Sequence, residues 1–146
     1  MFNFLSRWSL VLGLLWCAGC SAAEPTLLIE SAWLRATPAG AGVGAGYATL
    51  RNPGTTPRVI VGAETPVSAS AQLHSMTHAD GMLRMRHLES LTVPAMGSAR
   101  LAPHGDHLML FGLRAPLVAG QRVPVTFVLA DGQRLAIEFV VRDTAP

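Results

Sequence analysis

Histidine and methionine side chains are concentrated in one quarter of this chain. All five histidines, and every methionine except Met1, fall between residues 74 and 109. Imidazole nitrogen and thioether sulfur are neutral, borderline-to-soft donors that suit Cu(I), whereas thioether sulfur binds Mg²⁺, Ca²⁺ and Mn²⁺ poorly. The two cysteines, Cys17 and Cys20, lie outside this segment, so no thiolate within it competes for the ion. The composition therefore predicts a copper site between residues 74 and 109.

Residue spacing puts several of these donors on common faces of predicted strands. Side chains two apart in a strand point to the same side. The pairs related in this way are His74 with Met76, Met85 with His87, and His107 with Met109. Neighbouring strands and loops of a sandwich can then assemble a tetrahedral or trigonal Cu(I) site from two nitrogen and two sulfur ligands, namely His74, Met85, His107 and Met109. Thioethers need no deprotonation and form no disulfides, so such a site keeps its sulfur ligands in an oxidising compartment.

When each of these residues is considered separately, it also has a simpler interpretation. Methionine is a common filler of protein cores, and a single histidine is more often a surface or hydrogen-bonded residue. We expect Met96 in a loop or in the core. His78 and His104 lie beside turns, where we expect them to be solvated or at most to line the mouth of the site.

Other side chains could support the four ligands. Each ligating histidine needs its second nitrogen fixed by a carbonyl, a carboxylate or a water, and Asp80 or Asp106 could serve. Met76, Met82 and His87 are either additional donors or supporting residues, and the sequence does not rank them.

The first 23 residues are typical of a secretory leader. Arg7 supplies a short positive region, and the apolar stretch 9–19 that follows is too short to span a bilayer comfortably. Cleavage after Ala23 fits a signal peptide, whereas Cys17-Ala-Gly-Cys20 resembles a lipoprotein signal that ends before a lipid-bearing Cys20. Both alternatives predict export, so we expect a periplasmic protein, and only the lipoprotein alternative adds membrane contact, through a lipid on Cys20.

The remaining residues, 24–146, suffice for a single domain with a hydrophobic core. Short aliphatic and β-branched runs alternate with turns that contain Pro or Gly, which predicts an all-β sandwich or barrel. We expect a two-residue type I′ turn at Asp131-Gly132 and a flexible loop or bulge at the glycine-rich residues 40–46. The predicted strands are 26–35, 46–52, 58–64, 70–76, 82–88, 98–103, 107–113, 122–130 and 133–142.

The spacing His74-x10-Met85-x21-His107-x-Met109 resembles the signature of the PCuAC family of periplasmic copper(I) chaperones. The resemblance covers most of the chain after the leader, including Ala32-Trp33-Leu-Arg35, Asp80-Gly81-Met82 and Leu101-Ala-Pro103. It implies a cupredoxin-like (immunoglobulin-like) β-sandwich with one exposed site that binds one Cu(I) per chain through His74, Met85, His107 and Met109. This chain departs from the family in having His104 where glycine is usual. Some members also carry a His/Met-rich tail that takes Cu(II), and we expect no such tail site here.

The resemblance also implies a function. Proteins of this family are similar in role to metallochaperones that deliver Cu(I) to the CuA centre of cytochrome oxidase. The implied partners are the copper-site subunit of the oxidase and Sco-type thiol proteins. Copper sequestration or tolerance, with the same site but no dedicated acceptor, is the alternative. We expect a monomer.

Other functions are disfavoured by the sequence. A blue-copper electron-transfer site needs a cysteine thiolate, and no cysteine follows Cys20. No H-E-x-x-H, G-x-S-x-G or Cys–His arrangement indicates an enzyme. The formal net charge is only +2, with no lysine and scattered arginines, so neither a nucleic-acid surface nor a polybasic membrane patch is expected.

Overall fold

The computed structural model describes residues 26–146, which form ten β-strands and their connecting loops. The strands are β1 (Leu28–Arg35), β2 (Val43–Asn52), β3 (Arg58–Glu64), β4 (Ser68–Ala79), β5 (Met82–His87), β6 (Leu91–Val93), β7 (Gly97–Leu101), β8 (His107–Leu113), β9 (Arg122–Leu129) and β10 (Arg134–Arg142). Within these residues no helix has the length and hydropathy needed to cross a membrane. The predicted leader, its cleavage site and both cysteines lie outside the described residues.

Seven of the strands form a closed barrel. Their order is β4-β8-β2-β1-β10-β9-β3, and a pairing of β3 with β4 at Ala63 and Ala71 completes the circuit. Only β1 and β10 run parallel, while the other neighbours are antiparallel. Strand β5 extends the sheet beyond β4, β6 extends it beyond β3, and β7 pairs with β2. The all-β, cupredoxin-like architecture expected from the sequence is confirmed.

Alternation of apolar and polar residues decides which side of each strand enters the core. On β9, Val123, Val125, Phe127 and Leu129 are all buried. Phe127 lies beside Phe139 of β10 with the two rings tilted and their centroids 6.2 Å apart. Burial of such side chains is the main favourable term in folding, about 25 cal/mol per Å² of apolar surface.

The same alternation turns the donor residues outward. Leu73 of β4 pairs with Leu108 of β8, and both are buried in the core together with Leu110. Residues at the intervening positions of β4 and β8 therefore project from the outer face of the barrel. His74 and His107 occupy two of those outer positions.

The glycine-rich segment 40–46 is only partly the flexible loop or bulge expected from its composition. Strand β2 begins at Val43, so the second half of the segment belongs to the sheet. A Cβ at Gly46 would stand 2.7 Å from Leu34 Cδ2 and 3.3 Å from Leu108 Cδ2. Glycine is therefore needed at this position because β2 packs closely against core side chains.

The turn at Asp131-Gly132 also differs from its prediction. The hairpin between β9 and β10 has a three-residue connection, 130–132, in which only Gly132 has a positive φ, 85°. Leu129 N donates to Gln133 O, and the side chain of Asp131 accepts from Gln133 N at 2.9 Å. This Asx-type hydrogen bond favours the longer connection over a two-residue type I′ turn.

A two-residue type I′ turn is found instead between β4 and β5. Ala79 pairs with Met82, and the two residues between them, Asp80 and Gly81, have φ values of 54° and 73°. Positive φ at both central positions defines this turn type, whose twist matches that of the flanking strands. The turn fixes the register of the hairpin that carries Met85.

Candidate metal centre

Three histidines form a row across three adjacent strands. His74 of β4 pairs directly with His87 of β5 on one side and with His107 of β8 on the other. The ring centroid of His74 lies 5.6 Å from that of His87 and 6.2 Å from that of His107. Two imidazoles that share one ion through nitrogens at about 2.0 Å have centroids roughly 5–6 Å apart. The His74–His87 separation falls within this range, and the His74–His107 separation is slightly longer.

The methionines lie next to this row on the same face. Met85 is two residues before His87 and pairs with Met76, while Met109 is two residues after His107 and pairs with Gln72. Because directly paired residues and residues two apart share a face, the four predicted ligands lie on one outer surface of β5, β4 and β8. The structure brings the elements that carry them together as the sequence predicted, while the ligand assignment itself stays a prediction.

His107 is held in one ring orientation. Only 4% of the residue is exposed, and its Nδ1 lies 2.8 Å from the carbonyl oxygen of Gly105. The carbonyl can only accept, so Nδ1 carries the proton and Nε2 keeps its lone pair for a metal. The same oxygen accepts the backbone N–H of Met76 at 3.2 Å.

His74 is oriented by a side chain instead. Its Nε2 donates to Oε1 of Gln72 at 3.1 Å, which leaves Nδ1 as the nitrogen with a lone pair. This Nδ1 is buried and makes no hydrogen bond to any residue between 26 and 146. A buried, unpartnered nitrogen is unfavourable unless something binds it, which fits a metal ligand.

The protonation of His74 favours metal binding as well. Burial lowers the pKa of His74, and the neighbouring charges of His87 and His107 lower it further. The ring therefore stays neutral to lower pH than an exposed histidine, and neutral imidazole is the form that ligates metals.

The supporting residues differ from those expected. Neither Asp80 nor Asp106 fixes the second, non-ligating nitrogen of His74 or His107, because the Gly105 carbonyl and the Gln72 amide take that role. Gln72 was missed by the sequence reasoning, although its position two residues before His74 on the same face could have indicated it. A backbone carbonyl such as that of Gly105 leaves no sequence signal.

The remaining histidines and methionines are more peripheral. His78 is paired with Leu83 near the turn, and His104 lies exposed in the loop before β8. His104 has a φ of 65°, a conformation that favours glycine, which agrees with its departure from the family pattern. Met96 is 74% exposed in a loop, and Met82 projects from the face of β5 opposite to Met85.

The thioethers next to the histidine row supply further donors for a metal. Among residues 26–146, no three His, Cys, Asp or Glu side chains are arranged to hold an ion. His74 and His107 provide half of a tetrahedral set, which sulfur from Met85 and Met109 can complete. A set of two nitrogens and two thioethers suits Cu(I) and disfavours hard cations.

Comparison with known proteins identifies relatives of the whole domain. Residues 27–141 match the model of the family described as "Putative lipoprotein LpqE-like". The protein named "Putative lipoprotein Lxx21020" of Leifsonia xyli subsp. xyli is 35% identical over 144 residues, a match that covers 92% of this chain and 86% of that protein.

Solved structures with a similar fold include copper-binding domains. The solution structure of CuI-DR1885 from Deinococcus radiodurans has a TM-score of 0.65 and 35% identity, covering 87% of this chain and 84% of that one. The copper-bound PCuAC domain from PmoF2 has a TM-score of 0.68 and covers 84% of this chain and 97% of that domain, but at 21% identity this likeness concerns the fold alone. The resemblance to PCuAC domains is confirmed, and the chain belongs to the LpqE-like family.

Proposed function

We propose that this chain binds one Cu(I) ion through His74, Met85, His107 and Met109 and delivers it to an acceptor protein. The observation that supports this most directly is the cross-strand pair of His74 and His107. Each ring donates one N–H to an oxygen and retains a second nitrogen with a free lone pair. The relative from Deinococcus radiodurans that is 35% identical was solved as a CuI form, which agrees with this ion.

The chemistry of the donors suits transfer. Neutral imidazole and thioether hold Cu(I) less firmly than thiolate does, so the ion passes readily to a cysteine-rich acceptor. Met85 is 48% exposed, which leaves one side of the site open to a partner. We expect the acceptor to be the CuA centre of cytochrome oxidase, either directly or with Sco-type thiol proteins.

The cellular setting follows from the same proposal. The relatives named as lipoproteins agree with export and with a lipid on Cys20, and we expect a periplasmic monomer. The role is binding and transfer of an ion, with no catalysed reaction. Neutral ligands without a thiol remain competent in an oxidising compartment.

Competition titration tests the site. The chain from residue 24 onward is titrated anaerobically with Cu(I) against the chromophoric chelator bicinchoninate. We expect one tight equivalent, which the His107→Ala/Met109→Ala double variant loses. Met96→Ala is the matched control, because Met96 lies in an exposed loop. Equal affinity in the double variant and the control would reject the ligand assignment.

A transfer assay separates delivery from sequestration. The Cu(I)-loaded chain is mixed anaerobically with a metal-free, reduced CuA domain of cytochrome oxidase, and the two proteins are separated before copper is measured in each. Copper found on the oxidase domain supports delivery. Copper retained on this chain at every ratio favours the alternative, in which the same site sequesters the ion.

A further inference from the structure

His87 stands beside the four predicted ligands as a third imidazole. It pairs with His74 across β4 and β5, with ring centroids 5.6 Å apart, which is closer than His74 and His107. It also lies two residues from Met85, on the same face of β5. His74, Met85 and His87 therefore form a second, outer set of donors that shares two members with the proposed site.

The ring of His87 has an oxygen acceptor beside its Nδ1, as the ring of His107 does, although the contact is longer and exposed. Its Nδ1 lies 3.3 Å from Oε1 of Glu89, so Nδ1–H donates a hydrogen bond to the carboxylate and Nε2 keeps its lone pair. Carboxylate–histidine contacts of this kind orient ligands in many metal sites. The side chain of His87 is 46% exposed, in contrast to the buried His107.

We propose that His87 is the exchange ligand through which Cu(I) enters and leaves the site, an inference that rests on the proposed function. The ion moves between an inner position, held with His107 and Met109, and an outer position held by His74, Met85 and His87. In the outward step a bond from copper to His87 Nε2 forms as the bonds to His107 and Met109 break. Copper stays Cu(I). No proton is transferred, because the N–H of His87 is at Nδ1, facing Glu89, and the copper bond forms at Nε2.

The inner and outer positions differ in solvent exposure, and this difference makes the outer one the position from which copper is released. The inner position includes His107, which is only 4% exposed, so an acceptor can approach the ion there from fewer directions than at the outer position. The outer position lies on β5, an edge strand whose six residues are all exposed. An acceptor ligand can therefore attack the ion from solvent once His87 has taken it.

Kinetics distinguish an exchange ligand from a resident one. A route that lowers the barrier does so in both directions, so its loss slows uptake and release by the same factor and leaves the Kd nearly unchanged. We expect His87→Ala to slow transfer of Cu(I) to bicinchoninate by about tenfold, while its Kd changes by less than about threefold. Transfer is followed by anaerobic stopped-flow absorbance, and the Kd by equilibrium competition with the same chelator.

Two further variants control for the hairpin itself. His78→Ala removes another exposed histidine from the same face of β4, near the turn, and we expect the wild-type transfer rate. His87→Met supplies a different soft donor at the same position, and we expect it to restore most of the rate.

The outcomes separate this inference from the proposed function. Wild-type binding with an unchanged transfer rate in His87→Ala would overturn the exchange role alone. A loss of affinity in His87→Ala as large as that in His107→Ala would make His87 a resident ligand and would also overturn it. Slowing in both His87→Ala and His78→Ala would assign the effect to the hairpin and reject the role. Failure of the wild-type chain to bind Cu(I) would overturn both proposals.

Discussion

His74 and His107 lie directly opposite each other on β4 and β8, and each donates one ring N–H to an oxygen two residues earlier in the chain. The acceptors are the side-chain amide of Gln72 for one ring and the backbone carbonyl of Gly105 for the other. The result is a pair of imidazoles that use opposite nitrogens, Nδ1 of His74 and Nε2 of His107, as their free donors.

Met85 and Met82 provide a matched test of the ligand set. Both methionines lie on β5 and are similarly exposed, at 48% and 55%, but they project from opposite faces. We expect Met85→Ala to weaken Cu(I) binding by at least about tenfold, because it removes one of four donors. Met82→Ala should bind as the wild type does. Equal losses in the two variants, measured by chelator competition, would contradict the face assignment.

Gln72 should matter although it is not a predicted ligand. Gln72→Leu removes the acceptor of the His74 N–H, so the ring is no longer held in one orientation, and we expect an affinity about 10–100-fold lower. Gln72→Glu retains an oxygen acceptor and should keep most of the affinity. Ser70→Ala, two residues earlier on the same face, is the control. Unchanged copper affinity in Gln72→Leu would mean that the hydrogen bond does not orient the ligand.

The metal-free protein should lose stability as the pH falls below 6.5. The pKa of His74 is lowered from its ordinary value of 6.5, chiefly by burial. Between 6.5 and the lower value in the folded state, the unfolded chain binds a proton at this residue that the folded chain does not. Stability therefore declines with falling pH across that window and levels off below it. Urea unfolding between pH 7.5 and 5 should show a shallower decline in His74→Gln than in the wild type, and parallel curves would refute this.

Gly46→Ala should destabilise the barrel through steric overlap. The added methyl group would lie 2.7 Å from Leu34 Cδ2 in a fully buried region, and we expect a loss of about 1–3 kcal/mol in the free energy of unfolding. Gly42→Ala is the matched control, since a methyl group added there would meet nothing within 4 Å and the change should stay within about 0.5 kcal/mol. Denaturant unfolding of both variants measures the difference.

Local rules predicted which side chains share a face. The two-residue period of a strand was enough to pair His107 with Met109 and Met85 with His87, and the structure agrees. The same rules do not predict the register between neighbouring strands. That His74 pairs with both His87 and His107 depends on contacts between residues distant in sequence, which no local pattern encodes.

The differences between the predicted and observed fold have equally local causes. The three-residue strand β6 (Leu91–Val93) was missed because it is too short to show alternation. The predicted start of β2 was too late because the first residues of the strand are rich in glycine, which usually weakens strands. Here glycine permits close packing, and the strand begins at Val43. Asp-Gly occurs at two turns, and only the one at Asp80-Gly81 has both φ values positive.

The carbonyl oxygen of Gly105, in the loop before β8, forms hydrogen bonds to both β4 and β8. It accepts the backbone N–H of Met76 and the ring N–H of His107, so the imidazole is aligned with the sheet before any ion arrives. A ligand fixed in advance gives up little conformational entropy when it binds. The His107 ring should therefore keep the same rotamer in the metal-free and metal-bound states, and reorganisation on binding should fall on the other ligands.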